Sequence, residues 1–160
     1  MSICGSKESV LSGLIDIQQR FPAIVAVVLR RRVDFPMVDV AQVVYYPEYF
    51  DLAHRFFEES IVEICGIGYP ELMDQKIGFP VVRTEAHHIA PLRYGDEIVC
   101  KLWVENVGTK SVVWRYQFEN QDGVQCWDAT VVTVCADLNS FESMKIPEEL
   151  AVSLRRCSED

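Results

Sequence analysis

Residues 46–68 read YPEYFDLAHRFFEESIVEICGIG, and this stretch decides the fold. Tyr49, Leu52, Ala53, Phe56, Phe57, Ser60, Ile61 and Ile64 recur at spacings of three and four, while Glu48, Asp51, Arg55, Glu58, Glu59 and Glu63 fill the positions between them. That period puts the apolar set on one face of a long helix from Pro47 to Cys65. Pro47 suits the first helical position, where a missing N–H costs nothing, Glu48 and Asp51 complement the positive end of the dipole, and Gly66 and Gly68 stop the helix. A helix with one apolar face needs a cover, and the residues on either side supply strands for it.

Downstream, Phe79–Ile89, Glu97–Val107, Ser111–Glu119 and Gln125–Leu138 have strand character, divided by the turn signals Tyr94-Gly95-Asp96, Gly108-Thr109 and Asn120-Gln121-Asp122-Gly123. In the third stretch Val112, Trp114, Tyr116 and Phe118 alternate with Val113, Arg115 and Gln117, so one face packs on a core and the other is more polar. Upstream, Ala23–Leu29 reads as a buried strand that emerges at Arg30–Arg32 and ends near Asp34. Five strands and one long helix predict a single α+β domain over residues 23–154, preceded by a part-helical extension at 1–22, with a weak helix from Glu8 to Gln19, and followed by a charged tail at 155–160.

Composition narrows the function. The 160 residues, 49% apolar, suffice for one core. Fifteen basic against 24 acidic side chains give a net charge of −9, which argues against non-specific nucleic-acid binding and against an anionic membrane surface. Lys7, Glu8, Asp16 and Arg20 interrupt the only N-terminal apolar stretch, so membrane insertion is not expected. The six cysteines are scattered, with no Cys-x-x-Cys pair, and read as reduced thiols of a cytoplasmic protein. His87 and His88 are adjacent on a strand and point to opposite faces, so they cannot chelate one metal as neighbours. No zinc, nucleotide-loop or Ser-His-Asp signature is present.

Asp39 lies on the apolar ribbon just before Tyr46-Pro47-Glu48, where the helix starts. A helix start leaves about four N–H groups unpaired and carries roughly half a positive charge. A carboxylate beside such donors is half of an acyl-transfer site; the other half is a substrate carbonyl resting on the donors. On local sequence alone, Asp39 reads first as a turn residue before the helix or a remote cap.

VDFPMVDVAQVVYYPEYFDLA at 33–53, APLRYGDEIVCKLWV at 90–104, NVGTKSVVWRYQF at 106–118 and KIPEEL near the end, in this order, resemble the hotdog-fold acyl-CoA thioesterases, most closely the 4-hydroxybenzoyl-CoA thioesterase type. The resemblance implies a five-stranded antiparallel sheet wrapped around the central helix, and a hydrolase that releases a carboxylic acid and a free thiol from coenzyme A or an acyl carrier protein, without a cofactor. It implies Asp39 as nucleophile or general base and the Tyr46 backbone N–H as oxyanion donor, with Pro47, Glu48 and Tyr49 at the acyl group. It implies Lys110 and Ser111 at coenzyme A. Relatives join their sheets edge to edge, so a homodimer is expected, with a tetramer open, in which Phe79, Thr84 and His87 complete the partner's site. The alternatives are a non-catalytic acyl-thioester binding or sensing module, and a hotdog dehydratase, for which no His-Gly-Pro arrangement is present.

The chain also departs from the pattern. Gln42 stands where the family has Gly, which is tolerable only if its dihedrals stay in an ordinary region. Gly108 and Thr109 stand where hydroxybenzoyl-specific enzymes carry arginines, and Glu48 replaces a common Asn, placing a second carboxylate near the reacting carbonyl.

Overall fold

A computed structural model describes residues 26–158, so the expected extension and its Glu8–Gln19 helix lie outside the described residues. Strand β1 (Val27–Arg32) leads through a 3-10 turn at Phe35–Met37 to helix α1 (Tyr46–Cys65) and a short α2 (Tyr69–Asp74). Then come β2 (Ile77–Gly78), β3 (Val81–His88), β4 (Glu97–Val107), β5 (Ser111–Glu119), β6 (Gln125–Val134), β7 (Ala136–Asp137) and helix α3 (Glu148–Arg156). The main sheet has the order β1-β4-β5-β6-β3, every pairing antiparallel.

The helix period does what it promises. Tyr49, Leu52, Ala53, Phe56, Phe57, Ser60, Ile61 and Ile64 are all buried, and Gly66 ends α1 in the left-handed conformation with its N–H on Val62 O. The sheet alternates as strictly: Ile98, Cys100, Leu102 and Val104 of β4 and Val112, Trp114, Tyr116 and Phe118 of β5 are buried on the face that meets the helix. Phe57 meets Trp114 edge-on at 5.0 Å, and Phe56 meets Phe118 at 5.4 Å. The charged face of α1 is tied down on its surface: Arg31 reaches Glu59, His54 lies 2.9 Å from Glu58 and Arg55 lies 2.7 Å from Asp51.

Three boundaries differ from the expected ones. The stretch expected as one strand from Gln125 to Leu138 is two: β6 stops at Val134, Cys135 N–H bonds Lys110 O, and β7 pairs instead with β2. The strand expected from Phe79 starts two residues later, because Pro80 offers only its carbonyl, taken by Val134 N–H, and the ladder slips between Val81 and Arg83. Helix α3 runs two residues past Leu154, where the tail was expected to begin. Leu150, Ala151 and Leu154 pack inward, with Glu148 and Glu149 at its start and Arg155 and Arg156 at its end.

Strand β3 is an edge, and no residue of it is fully buried. Its register with β6 sets Thr84 beside Val131, Ala86 beside Ala129 and His88 beside Trp127, all three partners being buried against α1, so these β3 residues share the inner face. Arg83, Glu85 and His87 face out. The five described cysteines are free thiols, and no helix among the described residues is long and apolar enough to cross a membrane.

Candidate active site

The segment before α1 folds back on itself as a small hairpin. Val38 bridges Val44, Tyr45 N–H bonds Met37 O, and Asp39 N–H bonds Val43 O. Asp39 sits at the start of its turn, where its carbonyl accepts Gln42 N–H at 2.9 Å and its Oδ1 accepts Ala41 N–H at 2.8 Å. Aspartate is suited to such a turn because its side chain mimics a backbone acceptor. One carboxylate oxygen braces the loop, and the exposed side chain opens on a cleft of about 680 Å³ lined by Phe35, Val38, Val40, Gln42 and Tyr94.

Gln42 closes this turn with φ of +60°, in the left-handed region. The condition that it keep ordinary dihedrals is therefore not met: the residue adopts the conformation that Gly would supply, because the turn leaves no other, and its carbonyl still accepts Tyr94 N–H. Gln42→Gly is expected to stabilise the protein by about 0.5–1 kcal/mol. An unchanged or lower urea midpoint at constant slope would contradict this.

The hairpin delivers the chain to α1. Val44 N–H bonds Leu92 O, which fixes the approach to the helix, and no side chain caps its N-terminus. Pro47 has no N–H and Glu48 N–H is taken by Tyr45 O at 2.9 Å, whereas Tyr46 N–H has no acceptor among the described residues. An uncapped helix start with a free amide is a ready site for developing negative charge. Asp39 stands across the hairpin from Val43, and Tyr46 follows Val43 by three extended residues, about 10 Å of chain. Glu48 is half-buried one position beyond Pro47. Tyr49 is buried, with its ring 4.9 Å from His88 and 5.7 Å from Trp127, and burial pushes its phenol above the usual range, so it stays protonated.

The other expected residues divide into two groups. Phe79 and Thr84 line a second recess of about 310 Å³ between β3 and the flank of α1, walled by Phe50, Phe57, Tyr69 and Tyr116. His87 does not join them. It faces outward from β3, and its Nδ1 lies 2.8 Å from Asp128, whose hydrogen bond and charge raise its pKa. Strand parity is the reason: residues 84 and 87 are three apart and take opposite faces. The inward histidine is His88, which lines a recess with Val43, Val44 and Tyr49. The sequence signal was the alternation itself, usable only once the register with Trp127 was known.

Lys110 and Ser111 lie elsewhere in the same chain. The Asp39 hairpin is stitched to the residues just before β4, through Val44–Leu92 and Tyr94–Gln42, whereas Lys110 follows the far end of β4, eleven residues on. That separation is about 33 Å. Lys110 Nζ meets Ser143 O and Oγ at 3.3 Å, on the exposed surface. Among the described residues no cluster of His, Cys, Asp or Glu is arranged to hold a metal.

The thioesterase superfamily profile matches residues 41–126. The chain belongs to the thioesterase superfamily. The match spans more than half of the 160 residues, from just after Asp39 through α1, β3, β4 and β5 to the start of β6. The 1,4-dihydroxy-2-naphthoyl-CoA hydrolase of Prochlorococcus marinus (strain NATL2A) is 34% identical over 99 residues, 57% of this chain and 63% of that relative. A solved gentisyl-coenzyme A thioesterase is 28% identical, with a TM-score of 0.71 over 77% of this chain and 98% of the other. A thioesterase superfamily structure from Jannaschia sp. CCS1 is 26% identical, with a TM-score of 0.77 over 86% and 96%. The hotdog fold expected from the sequence is therefore the fold of this thioesterase-superfamily chain.

Proposed function

We propose that the protein hydrolyses an acyl thioester of coenzyme A, or of an acyl carrier protein, to a carboxylic acid and a free thiol. The observation that carries this reading is the free Tyr46 N–H at an uncapped helix start, reached by a hairpin that holds Asp39 at its turn. The thioester oxygen rests on Tyr46 N–H, where one well-aimed donor contributes on the order of 3 kcal/mol as the oxyanion forms. Asp39 either attacks the carbonyl carbon, expelling the thiolate and leaving a mixed anhydride that water then hydrolyses to the acid, or takes a proton from an attacking water, after which the C–S bond breaks; in both routes the thiolate leaves and takes up a proton to give the thiol. Membership of the thioesterase superfamily supports the reaction, which this donor set performs without a cofactor. The free thiols fit a cytoplasmic setting.

The working unit is a dimer. An uncovered edge strand with exposed Val81, Val82 and inward Thr84 and Ala86 is a template for a second β3. A two-fold axis through the middle of β3, normal to the sheet, turns the partner end for end. The Lys110 turn of the partner subunit then lies at the Asp39 end of the first sheet, which resolves the 33 Å separation within one chain. Lys110→Ala is expected to raise KM for acyl-CoA several-fold with little change in kcat, because an exposed ammonium contributes binding to a phosphate and nothing to the reacting carbon. Equal KM values for the variant and the wild type would remove Lys110 from the site.

The deciding assay offers short, long and aromatic acyl-CoAs to the purified protein with thiol detection. Release of thiol from at least one supports the hydrolase. Binding of acyl-CoA with no turnover on any of them would instead make this a binding or sensing module.

A further inference from the structure

The inner face of β5 carries Trp114, Tyr116 and Phe118 in a row. Phe118 meets Tyr49 and Phe56 of α1, and Trp114 meets Phe57, so Tyr116, between them, faces the helix at the level of Ala53. Tyr116 is only 3% exposed, and with Ala53 it lines the recess of about 310 Å³ between β3 and α1. Among the described residues its hydroxyl makes no hydrogen bond, and that hydroxyl is not sealed off either, so the small accessible part of the residue includes it and opens into the recess. Burial pushes the phenol well above the ordinary range, so it stays a donor at neutral pH. A donor in such a place gains most from an acceptor carried in by a ligand.

The recess selects for polarity and for length. Phe50, Phe57, Phe79, Val81 and Val131 wall it, no Lys, Arg, Asp or Glu is in its lining, and His54 of the lining is engaged by Glu58 at 2.9 Å. A neutral, largely apolar group fits there, whereas a carboxylate would enter without a counter-ion. The way in runs along β3: the small recess beside Tyr49 and His88 lies nearer the start of α1, and Thr84, four residues away on the same face of the strand, is in the larger one. Along the helix, Phe50 is about 6 Å and Ala53 about 10 Å beyond Tyr46. C–C bonds of about 1.5 Å advance an extended acyl chain by about 1.25 Å per carbon. A chain whose carbonyl rests on Tyr46 N–H therefore enters the recess no earlier than about its sixth carbon and reaches the level of Tyr116 no earlier than about its eighth or ninth. A butyryl group stops short.

We propose that this recess takes the far half of a medium-length acyl chain and that the Tyr116 hydroxyl is a specificity-determining donor to a neutral oxygen, hydroxyl or keto, on about the eighth to tenth carbon. This inference rests on the thioesterase reading above, and its test separates the two. Turnover is compared for butyryl-, octanoyl- and decanoyl-CoA and for 8-hydroxyoctanoyl- and 10-hydroxydecanoyl-CoA. The wild type should prefer octanoyl or decanoyl to butyryl by about tenfold or more in kcat/KM, and at least one hydroxylated chain to its plain counterpart by about fivefold. Tyr116→Phe keeps the ring and removes the donor, so the preference for length should survive and the preference for the hydroxyl should vanish or reverse. Butyryl turned over as well as the longer chains, plain chains as good as both hydroxylated ones in the wild type, or a hydroxyl preference that survives Tyr116→Phe each overturns the proposal. A second readout needs neither turnover nor the variant: by calorimetry, a non-hydrolysable ketone analogue of 8-hydroxyoctanoyl- or 10-hydroxydecanoyl-CoA should bind the wild type about fivefold more tightly than the analogue without the hydroxyl. If no thioester is hydrolysed, the thioesterase reading falls and these binding pairs still decide; a terminal hydroxyl that gains no affinity at either length overturns the donor role.

Discussion

Asp39→Asn is expected to lower kcat by about a hundredfold or more while KM changes little. The substitution is nearly isosteric, and the amide oxygen of Asn keeps the acceptor that Ala41 N–H uses at 2.8 Å, so the turn at 39–42 survives. What it removes is the negative charge and the basicity, which matter only if the group attacks or deprotonates. The turn role and the catalytic role thus separate cleanly in this one variant. Its thermal and urea midpoints should match the wild type, and steady-state thiol release should collapse. Near-normal turnover by a folded Asp39→Asn protein would reduce Asp39 to a loop brace and return the chain to the binding-module reading.

Phe56→Ala is expected to destabilise the protein by about 3–5 kcal/mol, a large share of the roughly 5–15 kcal/mol that holds a domain of this size. Phe56 is completely buried at the centre of the interface between α1 and the sheet, with Phe118 edge-on at 5.4 Å and the Arg31 guanidinium over its ring at 5.4 Å. Leu52 and Phe118 around it are also fully buried, so the cavity has no flexible rim to collapse into it. The cation–π contact of Arg31 is lost as well, contributing about 0.5–1 kcal/mol at a partly exposed site. Urea unfolding measures the loss directly, and a change below about 1 kcal/mol would mean that the core is not centred where the fold places it.

The sequence carried the fold further than the site, and for a physical reason. The spacing of the apolar residues from Tyr49 to Ile64 leaves one arrangement open to α1, and strict alternation along β5 settles which face of the sheet meets it. Short elements have no such period. Helix α2 is six residues long, too short for its period to show, and β2 and β7, two residues each, exist through a pairing across the chain that no local window contains. The site follows the same division. As candidates, the free amide of Tyr46 is legible because the helix start fixes where its unpaired N–H groups lie, and Asp39 because it is the carboxylate on the segment leading there. Which of His87 and His88 faces the helix is not legible, because alternation states that two neighbours differ and does not say which of them faces in. Gln42 is the reverse case, a position whose departure from glycine was visible and whose left-handed backbone only the three-dimensional turn reveals.

The most direct test of the account is a crystal structure with a non-hydrolysable ketone analogue of an acyl-CoA. The carbonyl oxygen is predicted to lie within about 3.2 Å of the Tyr46 nitrogen, with the Asp39 carboxylate within reach of the carbonyl carbon, directly or through one water. A ligand bound away from the start of α1, or an Asp39 carboxylate more than about 8 Å from the carbonyl carbon, would contradict it.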